Sequence, residues 1–273
     1  MLITESLILF IVLLLVIGAF AGIIAGLLGV GGGIVIVPAL YLMLTYIGLD
    51  EAIIMHVAVG TSLATIIFTS LRSVMKHREK GAVDAGILRH WSPWLFVGAI
   101  AGIAIAAIVS TQVLAGVFAI IALGVAVQMT LGRSERVIAE ALPKGIGGAL
   151  LPTVIATLST LMGIGGGTLG VPTLTLFGVP IHRAVATSAG FGVVIAIPAT
   201  IGFIFNGWSI ATLPPYSLGY VNLIGFAIIV PATFLTVPLG VSMAHWLKPD
   251  LLRKAFALFL AFTASRMLWD IFT

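Results

Sequence analysis

The sequence GVGGGIVIVPAL at residues 29–40 returns as GIGGGTLGVPTL at residues 163–174, so one glycine-rich element occurs twice in the chain. Both copies follow the pattern Gly-x-Gly-Gly-Gly-x4-Pro-x-Leu, which is too long to repeat by chance. Successive glycines break a helix and permit positive φ values. The duplication therefore predicts two related halves, each containing a broken helix.

The rest of the chain is strongly apolar. Of its 273 residues, 60% are hydrophobic and 8% are charged, against roughly 25% charged in a typical soluble domain. Apolar runs long enough to cross a bilayer recur along the whole chain, as at residues 8–28. We therefore expect an all-α polytopic membrane protein with one transmembrane domain over residues 1–273, in contact with the lipid bilayer.

Composition also excludes several classes of function. The chain has no cysteine, which excludes disulfides and thiolate metal sites. Its basic residues are scattered between apolar helices, so they indicate membrane topology and not nucleic acid binding. The sequence has no nucleotide-binding P-loop, and no acidic residue falls in the middle of an expected membrane span. We expect no cofactor and no metal.

Apolar periodicity divides the chain into five helical segments on each side of a charged linker. Repeat one covers about residues 1–131, the linker covers 132–144, and repeat two covers about 145–273. The expected segments are 7–28, 34–47, 52–75, 92–110, 113–131, 145–162, 168–178, 182–205, 217–246 and 252–272.

Two of these segments are too short to cross a membrane. Segments 34–47 and 168–178 would extend only ~21 Å and ~17 Å, less than a hydrocarbon core of ~30 Å. Each follows a glycine cluster. We therefore expect each to form a re-entrant hairpin with the segment before it, and the two hairpins to meet near the midplane.

The distribution of Lys and Arg predicts the orientation of the halves. When the loop after residue 75 is placed in the cytoplasm, 12 of the 13 basic residues lie on that side, and Arg266 lies within the last helix, spaced to pair with Asp270. Both termini are then outside the cytoplasmic (inner) membrane. The first half begins outside and the second begins inside, so the sequence predicts inverted repeats, a common plan of transporters.

The broken helices suggest a site for a small anion. Helix amides left free by the glycines, and the positive end of each short helix, would attract negative charge. The alternative is that the glycines only allow tight helix crossing. Pro38 and Pro172 could aim the short helices. The candidate binding residues here are Gly29, Gly31, Gly32, Gly33, Gly163, Gly165, Gly166 and Gly167.

A second repeated motif adds hydroxyl groups. Residues Ala58-Val-Gly-Thr61-Ser62 recur as Ala184-Val-Ala-Thr187-Ser188, early in a long helix of each half. The four hydroxyls of Thr61, Ser62, Thr187 and Ser188 could line the same cavity, or they could bond to carbonyls of their own helices.

Three further side chains begin the same long helices. His56, His182 and Arg183 could contact an anion or take up a proton. The alternative is that they anchor the helices at the membrane interface. Coupling to a proton or a cation, if there is any, would use histidine or backbone carbonyls, since no acidic relay is available.

The doubled glycine motif with its downstream Thr-Ser resembles the sulfite exporter TauE/SafE family, also called the 4-toluene sulfonate uptake permease family. The resemblance covers nearly the whole chain. It implies a secondary transporter that moves sulfite, an organosulfonate or another sulfur oxyanion by alternating access. An anion channel on the same scaffold is the alternative, and an integral membrane enzyme would need clustered Asp, Glu or His. The sequence leaves open the direction of transport and whether the protein forms a homo-oligomer.

Overall fold

The computed structural model describes residues 2–131, 137–139, 141–243 and 249–272, with side chains at 11–128, 130, 137–139, 141–243 and 257–270. The described part is helical apart from its connections and one short β-hairpin. The helices are α1 (Leu2–Leu28), α2 (Gly33–Tyr46), α3 (Ile54–Glu79), α4 (Ala85–Ala106), α5 (Thr111–Leu131), α6 (Gly145–Met162), α7 (Gly167–Leu176), α8 (Ile181–Asn206), α9 (Leu223–Met243) and α10 (Pro249–Phe272). The hairpin pairs β1 (Ser217–Leu218) with β2 (Val221–Asn222) in antiparallel register.

The predicted all-α polytopic membrane class is confirmed, since each expected segment corresponds to one helix. Six of the described helices, α1, α3, α5, α6, α8 and α9, are long and apolar enough to cross a membrane. Large apolar side chains such as Ile120, Leu235 and Phe262 lie exposed on the outward surface, as expected for a surface that faces lipid. Part of the predicted linker, residues 132–136 and 140, lies outside the described residues, as do Lys248 and both chain ends.

Helix packing repeats between the two halves. Helix α1 packs on α9, and α6 packs on α4. Helix α3 packs on α9, and α8 packs on α4, while α2 lies on α3 and α7 lies on α8. The α3–α8 and α5–α10 pairs each join one helix of one half to its equivalent in the other. Exchange of the two halves therefore leaves these main helix contacts unchanged.

The central helices α3 and α8 run antiparallel. Tyr220 lies against Gly60, near the start of α3, and stacks edge-on against Phe203, near the end of α8. At the opposite end, Asp84 follows α3 and its amide donates to Thr187, near the start of α8. This opposed direction of equivalent helices agrees with antiparallel duplication. The orientation of the halves and the termini relative to the membrane stays a prediction.

Two large apolar clusters, and a third of only three residues between α1 and α9, hold the described helices together. The larger cluster surrounds α2, α3 and α5 and includes the buried side chains of Ile34, Met55 and Phe118. The smaller cluster lies between α4, α6 and α8, where the rings of Trp91 and Phe191 stack with centroids 5.3 Å apart. The short helices α2 and α7 are packed against the long helices α3 and α8, so their glycine ends are fixed at the centre of the protein.

Candidate functional site

The two glycine clusters meet each other in antiparallel fashion. A Cβ atom placed at Gly33 would lie 2.5 Å from the carbonyl oxygen of Gly163, and one placed at Gly167 would overlap the carbonyl oxygen of Gly29. At the centre, a Cβ placed at Gly31 would lie 3.5 Å from the Cα of Gly165. We call this contact, residues 29–33 against residues 163–167, the glycine crossing. Each of its two glycine clusters was identified from the sequence of its own half.

Glycine is required in the crossing for two reasons. Gly31 has a φ of 72° and Gly163 a φ of 66°, a left-handed conformation that side chains other than glycine rarely adopt. At Gly33 and Gly167 the backbone of the opposite half fills the space of a side chain. Tight packing of the two halves therefore explains part of the need for glycine. Whether the crossing also binds a ligand depends on its polar groups.

Hydroxyl groups of α3 occupy two carbonyl oxygens of the crossing. Ser62 donates a hydrogen bond of 2.7 Å to the carbonyl of Gly163, in the other half of the chain. Thr69 donates one of 2.9 Å to the carbonyl of Gly31. Two acceptors of the crossing are thus already satisfied by protein donors.

Only some amides of the crossing have protein partners: those of Gly29, Gly163 and Ile164 donate to carbonyls of the preceding helix. Within the described residues, no acceptor satisfies the amides of Gly31, Gly32, Gly165 or Gly166. Gly32 and Gly166 directly precede α2 and α7, whose first turns add further free N–H groups and a partial positive charge. The crossing therefore presents more donors than acceptors.

Several buried hydroxyls near the crossing also lack partners. Each is at most 3% exposed and has no hydrogen bond within the described structure. Hydroxyls in this condition are costly in a protein interior unless a ligand or water uses them. They are Ser70 and Ser73 on α3, Ser159 and Thr160 on α6, Thr168 on α7 and Ser188 on α8.

The structure places the four predicted hydroxyls in different environments. Ser62 contacts the crossing directly, and Ser188 lies beside Gly170 of α7 with a free hydroxyl. Thr61 instead accepts the amide of Asn222 at 2.9 Å. Thr187 accepts the amide of Asp84, also at 2.9 Å. The two threonines therefore link each long helix to the residue that begins a helix of the other half.

The three predicted charged or titratable residues lie away from the crossing. His56 is buried, with its ring nitrogens 3.3 Å from the Thr111 hydroxyl and 3.2 Å from the Ala106 carbonyl. His182 is exposed. Arg183 is also exposed and lies 3.9 Å from the carboxylate of Asp84. Their roles in anion or proton contact stay predictions, as does the alternative that they anchor the starts of α3 and α8 at the membrane interface.

The two prolines lie inside the short helices. Pro38 is buried in α2, and Pro172 is half-buried in α7. Neither proline is among the three atoms nearest to a Cβ placed at any glycine of the crossing. Their influence on the site is therefore through the shape of the helix. In the described part of the chain, no three His, Asp or Glu side chains come together as metal ligands do.

Sequence reasoning missed the polar face of α3. Thr69, Ser70 and Ser73 follow Ser62 at helical spacing, and all four are buried. The sequence shows three hydroxyl residues within five positions of a membrane helix, but their burial becomes visible only in the structure. Thr168, in the first turn of α7, was missed because its equivalent in the first half is the apolar Ile34.

Comparison with known proteins identifies the family. The profile of the family described as "Sulfite exporter TauE/SafE" matches residues 14–267. A probable membrane transporter protein of Haemophilus influenzae is 36% identical, over 94% of this chain and 98% of that protein. One of Methanocaldococcus jannaschii is 28% identical, over 88% of this chain and 89% of that protein. No solved structure matches the chain significantly.

The match runs through both glycine clusters and nearly all the described helices. A third relative, a probable membrane transporter protein of Bacillus subtilis, is 35% identical, over 65% of this chain and 72% of that protein. The fold, the doubled motif and the relatives agree, and the chain belongs to the sulfite exporter TauE/SafE family of membrane transporters.

Proposed function

We propose that this protein is a secondary transporter that carries a small anion, sulfite or an organosulfonate, through the glycine crossing by alternating access. The observation that carries the proposal is the balance of polar groups in the crossing. Ser62 and Thr69 occupy the carbonyls of Gly163 and Gly31, while four glycine amides have no acceptor among the described residues. A surplus of buried donors favours a negatively charged ligand.

A cation site at the same place has less support. A cation bound at backbone carbonyls needs oxygens that are free to coordinate it. Two of the carbonyls here already accept hydrogen bonds from hydroxyls. The family name supports sulfur oxyanions as the substrate class, since it refers to sulfite export.

The closed crossing supports a carrier over a channel. The backbones of the two halves touch at Gly31 and Gly165, and residues 29–38 are buried. Two broken helices in contact at the centre block a continuous pore, so passage needs the halves to move apart. Movement of one half against the other is how inverted-repeat carriers alternate access.

The test is uptake of radiolabelled sulfite into proteoliposomes that contain the purified protein. We expect saturable uptake that unlabelled sulfonates inhibit. Gly165→Ala should slow uptake strongly and leave the protein folded, because the added Cβ would lie 3.3 Å from the Val30 carbonyl and 3.6 Å from the Cα of Gly31.

Gly124→Ala on α5 is the matched control. A Cβ at Gly124 meets no atom within 4 Å, so this variant should transport at the wild-type rate. Wild-type uptake by Gly165→Ala would refute the crossing as the site. Single-channel currents from the wild-type protein would refute the carrier mechanism.

A further inference from the structure

Helix α3 has buried, unpaired serines between the glycine crossing and its basic end. Ser70 and Ser73 lie one turn apart and are each 1% exposed, and neither hydroxyl has a partner in the described structure. The Ser70 Oγ would be 3.0 Å from a Cβ placed at Gly31, so it is in contact with the crossing. Beyond Ser73 the last turn of α3 carries the basic residues Lys76 and Arg78, and Lys76 pairs with Glu79, the final residue of the helix.

Helix α8 places a third unpaired serine on the facing surface. The Ser70 hydroxyl packs directly on Gly192 of α8. Because α3 and α8 run antiparallel, one turn forward on α3 is level with one turn back on α8, so Ser73 and Ser188 are expected at the same level of this helix pair. The Ser188 side chain is fully buried and its hydroxyl is unpaired within the described residues.

The mirrored positions indicate that packing alone does not require the serines. Thr61 and Thr187 define the alignment of α3 with α8, and on that alignment Ser70 corresponds to Ala196 and Ser73 to Ala199. Both alanines are fully buried. The same helix pair therefore packs with methyl groups in one half, whereas the other half keeps two hydroxyls that are costly to bury unpaired.

We propose that Ser70, Ser73 and Ser188 form a subsite for a small oxyanion, next to the glycine crossing on the side of the basic end of α3. The subsite rests on the anion transport proposed above. Three neutral donors suit a ligand with several acceptor oxygens, because each hydroxyl can donate to a different oxygen of the ligand. An anion that enters from the basic end of α3 would meet these hydroxyls before the glycine amides.

Binding of sulfite and of sulfate to the purified protein, measured by isothermal titration calorimetry, tests the subsite. Ser70→Ala and Ser188→Ala should each raise the Kd about tenfold or more, as expected for loss of one hydrogen bond to a charged ligand. The thermal midpoint of the ligand-free variants should stay equal or rise, because a methyl group replaces a buried hydroxyl without a partner. A purely structural serine would lower that midpoint.

Ser92→Ala on α4 is the matched control. The Ser92 hydroxyl donates to the Leu88 carbonyl of its own helix at 2.6 Å, so its loss should leave the Kd unchanged. Should Ser70→Ala fail to fold, Ser70→Cys keeps the shape of the side chain with a somewhat larger atom and weakens the donor, and a raised Kd is again expected.

The outcomes separate the two proposals. Wild-type affinity in both Ser70→Ala and Ser188→Ala would overturn the subsite alone. A wild-type protein that binds neither sulfite nor sulfate would overturn the proposed function and the subsite with it. A lowered midpoint with unchanged Kd would assign the serines to structure.

Discussion

The junction around Thr61 and the junction around Thr187 make the same hydrogen bonds in different surroundings. Thr61 accepts the amide of Asn222, and Thr187 accepts the amide of Asp84, both at 2.9 Å. Asn222 then accepts the amide of Gly225 at the start of α9. Asp84 caps α4 in the same way, through the amide of Ile87. In each half, the residue that caps a helix also donates its amide to a threonine of the other half. The two junctions lie at opposite ends of the α3–α8 pair.

The surroundings of the two junctions differ in charge. Beside Thr61, the ring of Tyr220 stacks on His56 at 4.9 Å and meets Phe203 at 6.3 Å. Burial raises the pKa of the Tyr220 phenol above its usual range, so this ring stays neutral. Beside Thr187, Asp84 instead faces Arg183 at 3.9 Å. The two junctions therefore share the same backbone hydrogen bonds. Aromatic rings pack around the junction at Thr61, whereas a charged pair lies beside the junction at Thr187.

The largest effect is expected at the centre that both junctions share, where mirrored positions should behave alike. Gly33→Ala and Gly167→Ala each force a Cβ onto a carbonyl of the other half, and overpacking of this kind costs about 1–3 kcal/mol or more. We expect both variants to lose most of their monodisperse yield and thermal midpoint in detergent. Full stability of only one variant would break the two-fold comparison.

The next effect is loss of the threonine acceptors. Thr61→Val and Thr187→Val leave a cap amide unsatisfied, which costs about 1–3 kcal/mol when the amide is buried. We expect the larger fall in thermal midpoint for Thr61→Val, because Arg183 beside the other junction is 56% exposed and water can reach that end. A larger fall for Thr187→Val would contradict our description of the Thr61 junction as the one less accessible to water.

A smaller effect is expected from converting one cap into the other. Asp84→Asn makes this junction match Asn222 and should keep the stability of α4, because Asn and Asp cap helices about equally well. Asp84→Ala removes the cap and should cost about 1 kcal/mol. Thermal unfolding of both variants beside the wild type measures the difference. Equal losses for Asn and Ala would mean that charge, and not capping, holds this junction.

The smallest effect is expected from the ion pair. Arg183→Gln removes a pair that lies at 3.9 Å and is partly exposed, and such pairs contribute about 0–1 kcal/mol. We expect a small fall in thermal midpoint at low salt that disappears near 1 M salt, where charges are screened within about 3 Å. A large loss that persists at high salt would show that Arg183 has a further partner in stabilising the junction.

Much of the fold could be predicted from the sequence because bilayer thickness and glycine chemistry act locally. The expected short segments 34–47 and 168–178 correspond to α2 at Gly33–Tyr46 and α7 at Gly167–Leu176. The Arg266–Asp270 pair, expected from its spacing, is present. The two-residue strands β1 and β2 were not predicted, since the expected ninth segment began at residue 217, and so short a hairpin leaves no periodicity to detect.

The candidate site was predicted only in part. The glycine clusters were identified, but the partners of Thr61 and Thr187 lie 161 and 103 residues away along the chain. No local pattern specifies such partners. Ser70 and Ser73 look like ordinary helix hydroxyls in sequence, and only their burial without partners distinguishes them from Ser92, which bonds to its own helix.

The sequence by itself determined the membrane class, the number of helices, the duplication and the family, because each depends on composition or on a repeated local pattern. Only the tertiary structure decided which groups in the glycine crossing remain free. Hydrogen bonds between distant segments, such as Ser62 to the carbonyl of Gly163, occupy carbonyl acceptors of the crossing. Four of its glycine amides have no acceptor among the described residues. That balance is a property of two halves packed together, and neither half contains it alone.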